Sequence, residues 1–385
     1  MSEWKEYVFT DVATLTNGRA YLQPELLSSG KYKIVRVGNL SGGDKWFYSD
    51  MELPDNKYCY EGDLLYAWAC TFGPYIWKGD KTIYHYHIWK VDVNPIYCDK
   101  SFLFYYLKYY TPKWMGLTNG SVMMHITKGS LEKQKIVLPS LPEQRRIASI
   151  LSTLDSKIEC NRKICANLEA QAQALFKHWF IDFAPFKEGK FVESELGMIP
   201  EGWRVGRLGE IAEITMGQSP SSSSYNEESE GVIFYQGRTE FGFRFPGVRL
   251  YTTEPKRFAK PLSTLLSVRA PVGDVNVATE RCCIGRGLAS IESRFSHNSF
   301  IYYLLLSLKR RFDVYNGEGT VFGSINKDTL TGMKIVIPPM SRLQDFEEIA
   351  REMDNKIFEA FQEINRLSTL RDTLLPKLMS GQIKL

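Results

Sequence analysis

Trp4-Lys5 returns as Trp203-Arg204, and from there the 385-residue chain repeats itself at an offset of about 199 residues. Asp11-Val12-Ala13 matches Glu210-Ile211-Ala212, Gly18 matches Gly217, and Gly38 matches Gly237. Leu65 to Gly73 matches Leu265 to Gly273 with one residue added, and Gly120-Ser121-Val122 matches Gly319-Thr320-Val321. Lys135 to Pro139 matches Lys334 to Pro338, and Leu154 to Ile158 matches Met353 to Ile357. A register held over both halves requires one architecture built twice.

Each half opens with about 130 strand-rich residues and closes, after a proline, on a long helix. Apolar β-type runs are Lys33 to Val37, Leu64 to Ala69, Ile83 to Val91, Gly231 to Tyr235 and Leu262 to Val268. Helices are expected over Ser101 to Tyr110 and Ser299 to Phe312. In the first long helix Ile147, Leu151, Leu154, Ile158, Asn161, Cys165, Leu168, Ala172, Leu175 and Trp179 follow steps of four and three. The second repeats the pattern at Phe346, Ala350, Met353, Ile357, Ala360, Ile364, Leu367, Arg371, Leu374 and Leu378. This is a heptad seam. Each helix should run roughly 36 residues, about 54 Å. Pro142 suits a first turn, and Pro376 should kink or fray the end of the second helix. A seam of this length must be covered, and pairing within the chain is favoured by linkage; the whole domain between the helices leaves room for an antiparallel pair. Asn161 on the seam is a candidate register-setting residue.

The expected organisation is therefore mixed α/β (α+β). A first domain spans 1–138, a helix 139–180, a connector 181–202, a second domain 203–337 and a second helix 338–385. Ser219 to Ser224 reads as a flexible loop.

Catalytic signatures are missing. There is no G-x-x-x-x-G-K-[ST] phosphate loop, no carboxylate pair with lysine of nuclease type, and no methyl-donor or target-adenine motif. His85 and His87 sit two apart on an expected strand, but a metal would need further ligands. Seven cysteines, an odd number without C-x-x-C spacing, read mostly as apolar filler. No run of 18 apolar residues exists, and the charged start Ser2-Glu3-Trp4-Lys5-Glu6 does not suit a signal peptide, so a cytoplasmic protein is expected. The residues describe a binding and organising protein.

Several stretches resemble the specificity subunits of type I restriction-modification enzymes. They are Leu138 to Ile147, Leu154 to Ile158, Leu175 to Phe186, Glu195 to Trp203, Leu265 to Gly273, Ile284 to Gly287 and Leu374 to Gly381. The resemblance implies two target-recognition domains in tandem, separated by an antiparallel coiled coil, with pseudo-two-fold symmetry. It implies a non-catalytic subunit that reads double-stranded DNA and joins two methyltransferase subunits and two restriction-translocase subunits. S-adenosylmethionine, ATP and Mg would then be bound by those partners. From the residues alone, a single-chain enzyme, a protein-binding scaffold and a module of another methyltransferase-based defence system stay open.

Net charge is only +4, so a DNA binder must concentrate its cations. Trp4 to Lys135 carries 14 Lys and 2 Arg against 13 acids, whereas Trp203 to Leu330 carries 4 Lys and 12 Arg against 13 acids. Arginine's planar fork matches guanine O6 and N7, so arginine base readout is expected of the second domain. Unlike domains imply an asymmetric bipartite target. The candidate DNA contacts of the first domain are Arg36, Asn39, Lys45, Trp46, Tyr75, Lys78, Lys81 and Lys128. Those of the second are Gln236, Arg238, Arg244, Arg249, Lys256, Arg257, Arg269, Arg286 and Lys327. Helix ends around Glu143 to Arg146 and Arg342 to Asp345 are candidate partner-docking faces.

Overall fold

The computed structural model describes residues 4–115, 126–316, 323–383 and 385. The repeat pair Gly120-Ser121-Val122 and Gly319-Thr320-Val321 lies outside them. The chain divides into two compact units, Met1–Asn161 with Glu363–Leu385, and Arg162–Gln362.

In the first unit Leu64–Ala67 is buried at every position. Leu64 and Tyr66 enter one core with Trp89 and Phe102, while Leu65 and Ala67 enter another with Val35 and Tyr84. Side chains alternate faces along a strand, so this segment lies between two apolar layers. It belongs to a four-stranded sheet ordered Ala13–Asn17, Ile88–Val93, Leu64–Ala67, Gly73–Ile76. The second sheet is ordered Phe47–Ser49, Tyr32–Val35, Thr82–Tyr84, Tyr58–Cys59, with its central pair parallel. The expected continuous strand Ile83 to Val91 is thus two strands, Thr82–Tyr84 and Ile88–Val93, in different sheets. His85 to His87 makes the turn between them, so the two histidines do not share one strand.

The second unit repeats this plan. One sheet is ordered Ala212–Met216, Leu288–Ser293, Thr264–Ser267, Val275–Val277. The other is ordered Tyr225–Asn226, Leu250–Thr252, Val232–Tyr235, Cys282–Ile284, Phe258–Ala259, again with a parallel pair. In each unit the first strand pairs antiparallel with the strand preceding a long helix: Lys5–Val8 with Lys135–Leu138, and Arg204–Arg207 with Lys334–Ile337.

Residues 181–202 are more than a connector. They hold the hairpin Phe191–Ser194 with Gly197–Pro200, and Phe183 and Phe186 pack edge-on against Trp203 at 5.3 and 5.1 Å. The serine run also has fixed structure: Ser224 is buried, and its hydroxyl lies 2.8 Å from that of Thr252.

The long helices are Leu141–Phe180 and Met340–Met379, 40 residues each. Pro376 lies in the last turn of the second, which continues to Met379. Ile147, Leu151, Ile158, Phe346 and Ile357 are buried, while Leu154, Leu168, Leu175, Met353, Ile364, Leu367 and Leu374 are half-buried. Within the first unit Asp155 faces Arg371 and Asn161 faces Glu363. Within the second, Cys165 faces Ile357 and Phe176 faces Phe346. In both, one number rises as the other falls, so the segments run antiparallel.

Candidate nucleic-acid interface

The parallel strand pair of each unit delivers two backbone turns to one place. In the first unit the His85 amide donates to Val35 O at 3.0 Å, and Ile88 N donates to His85 O at 2.9 Å. In the second, Gly285 N donates to Tyr235 O at 2.8 Å, and Leu288 N donates to Gly285 O at 3.0 Å. A third segment closes the turn. Trp68 N donates to His87 O at 3.1 Å, as Val268 N donates to Gly287 O at 2.9 Å. The glycine before each site has no room for a side chain: a Cβ on Gly18 would lie 2.3 Å from Tyr84 O, and one on Gly217 would lie 2.2 Å from Gly285 O.

One backbone rim thus carries two sets of side chains. In the first unit Arg36 follows the parallel strand, and its guanidinium lies 5.2 Å from the centre of the Phe47 ring. Lys45 lies 5.4 Å from the centre of the same ring, so both cations contact one aromatic side chain. Asn39 accepts from Arg36 N at 3.0 Å and donates to Lys45 O at 3.0 Å, so it holds the loop that carries both. Opposite stand His85, Tyr86 and His87, with His85 and His87 ring centres 4.9 Å apart. Burial, with His87 and Arg36 nearby, lowers the His85 pKa to about 4. Burial and Arg36 also lower that of His87. Both rings are neutral at neutral pH, and each offers one donor and one acceptor. Trp68 packs edge-on over His87 at 5.0 Å and donates its indole N–H to Tyr86 O at 2.8 Å.

In the second unit the equivalent rim carries Gln236, Arg238, Arg269 and Arg286, all exposed. Ser219 accepts from Arg286 N at 3.2 Å. Arg238 is ion-paired with Asp274. Arg269 and Arg286 make no ion pair among the described residues.

The other candidates scatter. Trp46 and Tyr75 are half-buried against the core containing Val35 and Tyr84, and Trp46 meets Trp77 edge-on at 6.5 Å. Lys78 pairs with Glu159 on the long helix, and Lys81 sits 4.0 Å from the Tyr58 ring centre. Lys128 pairs with Glu132 at 3.5 Å, and Arg249 with Glu240 at 2.8 Å. Lys256 is exposed, and Arg257 and Lys327 line another concavity, beside the Ala212–Met216 strand.

Arg244 is not a surface contact. It is 3% exposed, pairs with Glu169 and with Asp354 (2.7 Å), donates to Tyr303 Oη at 2.8 Å and lies 4.0 Å from the Tyr302 ring centre. Its guanidinium is consumed by the protein's own carboxylates. Conversely, the His85-Tyr86-His87 turn belongs to the rim and is absent from the sequence-derived candidates. Its signal was its alignment with Gly285-Arg286-Gly287 at an offset of 200.

Among the described residues no cluster of three or more His, Cys, Asp or Glu has the arrangement of a metal site, and no helix is long and apolar enough to cross a membrane.

Residues 1–170 and 200–375 match the family model described as the type I restriction modification DNA specificity domain. The chain is 39% identical over 263 residues to the putative type I restriction enzyme MjaX specificity subunit of Methanocaldococcus jannaschii, covering 67% of this chain and 61% of that one. The MjaIX specificity subunit of the same organism is 31% identical, with coverages of 70% and 65%. These two matches thus span somewhat less than two thirds of the relatives' length. A match to the HindI specificity subunit of Haemophilus influenzae, 24% identical, covers 100% of both chains. Among solved structures, the type I restriction-modification S subunit from M. genitalium shares the fold, with a TM-score of 0.62 at 19% identity over 98% of this chain and 96% of that one.

Proposed function

The chain belongs to the type I restriction-modification DNA specificity family, and on that premise we propose that it is the non-catalytic, DNA-reading subunit of such a complex. Each unit reads one half of an asymmetric, bipartite target. The paired helices set the spacer and dock methyltransferase subunits. The assembly methylates adenine in the site and, with restriction-translocase subunits, cuts unmodified DNA. It acts in the cytoplasm. S-adenosylmethionine, ATP and Mg bind to the partner subunits.

One observation carries this reading. A single backbone rim presents Arg36, His85, Tyr86 and His87 in one unit and Gln236, Arg269 and Arg286 in the other. A shared frame with unlike donors and acceptors is what recognition of two unlike short sequences requires, because base edges differ in their hydrogen-bonding patterns. The neutral histidines suit either a donor or an acceptor on a base, and the arginines suit guanine.

The experiment is a map of methylated adenines in cells that carry the cognate methyltransferase subunit, with and without this chain. One asymmetric bipartite motif that appears only with the chain is the expected result. A methylation pattern unaffected by the chain would overturn the proposal.

A further inference from the structure

The strand Ala212–Met216 lies at the edge of its sheet. Beside it opens a concavity of about 360 Å³ lined by Arg257, Arg294 and Lys327. All three are exposed, and none is ion-paired among the described residues. The Arg294 Nε donates to Gly209 O at 3.0 Å, which anchors the guanidinium and leaves its terminal nitrogens unbonded among the described residues. Thr215 and Thr331 add hydroxyl groups to the lining. The one carboxylate there, Glu213, faces Glu292 across the strands, and Lys260 lies 2.8 Å from Glu292 and within electrostatic reach of Glu213. Lys260 is matched by Glu292, so the lining sets three cations against the single carboxylate of Glu213, a net positive, anion-seeking hollow.

The matching positions of the first unit are differently filled. Lys57 donates to Asn17 O at 2.7 Å, Asn94 stands where the second unit has Arg294, and Lys128 is paired at 3.5 Å with Glu132, where the second unit has Thr331. The scaffold is shared, but among the described residues three cations without an ion pair meet there in the second unit, against Lys57 alone in the first.

We propose that this hollow is a phosphodiester-binding cleft by which the second unit grips the DNA backbone, a grip the first unit lacks. The inference rests on the DNA-reading function and adds a division of labour: the second unit supplies most of the sequence-independent affinity. Phosphate contacts position a protein without specifying sequence. Each phosphate neutralised contributes about 0.9 to the slope of log K against log salt concentration.

The test is the salt dependence of binding by the full chain, assembled with its methyltransferase subunits, to duplex DNA carrying the mapped target. The triple variant Arg257→Ala, Arg294→Ala, Lys327→Ala should lower the slope by about two to three with the methylated motif unaltered. Thr331→Glu, which copies the first unit's Lys128–Glu132 pair, should lower it by about one without removing a cation. Lys57→Ala with Lys128→Ala should lower it by less than one. An unchanged slope in the triple variant, or a changed motif, would overturn the cleft while leaving the DNA-reading function standing. A wild-type complex with no salt-dependent binding would overturn both.

Discussion

Arg244 Nη2 lies 2.7 Å from Asp354 Oδ1, and the Tyr303 hydroxyl donates to the same oxygen at 2.8 Å. The first unit contains the matching bond, from the Tyr105 hydroxyl to Asp155 at 2.8 Å, but there the cation is Arg371 from the second long helix. The tyrosine–aspartate bond therefore belongs to the duplicated frame, and its arginine has two origins. In the second unit it comes from the loop that also carries Arg238 and Phe243, and it reaches Glu169 and Asp354 on both long helices. That loop is tied to the helices by charge.

Arg244→Met should destabilise the second unit by about 3 to 5 kcal/mol, because it strands two buried carboxylates. Burial already raises the Asp354 pKa, against the opposing effect of Arg244. Without the arginine it rises further. A carboxyl group whose folded pKa is raised contributes stability at low pH that is lost as pH climbs through that pKa. The deficit should therefore be smaller at pH 5 than at pH 8 in thermal unfolding. Adding Glu169→Gln and Asp354→Asn should restore much of the loss. An equal deficit at both pH values would contradict the buried-charge account.

How much of this was legible beforehand follows from what each signal reports. Period sees what repeats, so the duplication and the heptad positions Ile147, Leu151 and Ile158 could be read directly. Partner choice is not periodic. Arg244, Arg269 and Arg286 are alike as letters, yet one is buried against two acids and two are exposed. The run Ile83 to Val91 was apolar enough to hide a turn, because the strands on either side of His85 are buried in different sheets. Pro376, expected to kink or fray the end of the second helix, lies in its last turn, and the helix continues for three residues with Leu378 and Met379 buried in the first unit's core.

Asn161 is 2% exposed on the seam, and its amide donates to Glu363 at 2.7 Å. Glu363 is also 3.6 Å from Lys157 and keeps that partner if the asparagine is lost. Polar seam residues trade stability for register. Asn161→Leu should therefore raise the unfolding midpoint by about 2 to 4 °C, equivalent to about 1 kcal/mol. A fall in the midpoint would mean that the Asn161–Glu363 bond outweighs the apolar gain.

His85 provides a pH signature for the first unit. Its pKa falls from the ordinary 6.5 to about 4 because it is buried near His87 and Arg36. A histidine depressed in the folded state favours folding above its unfolded pKa, and that contribution is lost as pH falls from 6.5 toward 4. The unfolding midpoint should therefore drop more steeply over this window in wild type than in His85→Gln. Parallel curves would show that the ring is not held neutral.

The rim makes a separable prediction about sequence preference. Tyr86→Ala or His87→Ala should alter only the half-site read by the first unit, and Arg269→Ala or Arg286→Ala only the other half. Each loss should relax discrimination by about 1 to 3 kcal/mol at the affected base pair. Methylome maps of the four variants would show this. A variant that weakens both halves equally would identify its residue as a backbone contact.

The spacer tests the helices themselves. A heptad inserted into both long helices, between residues 161 and 162 and between 362 and 363, keeps the seam in phase while lengthening it by about 10.5 Å at 1.5 Å per residue. Duplex DNA rises about 3.4 Å per base pair, so the unread spacer of the target should lengthen by about three base pairs with both half-sites unchanged. Insertion into one helix alone breaks the antiparallel pairing of Asn161 with Glu363 and should abolish methylation instead of shifting its spacing. If the paired insertion leaves the spacer as it was, the separation of the half-sites is set by something other than helix length.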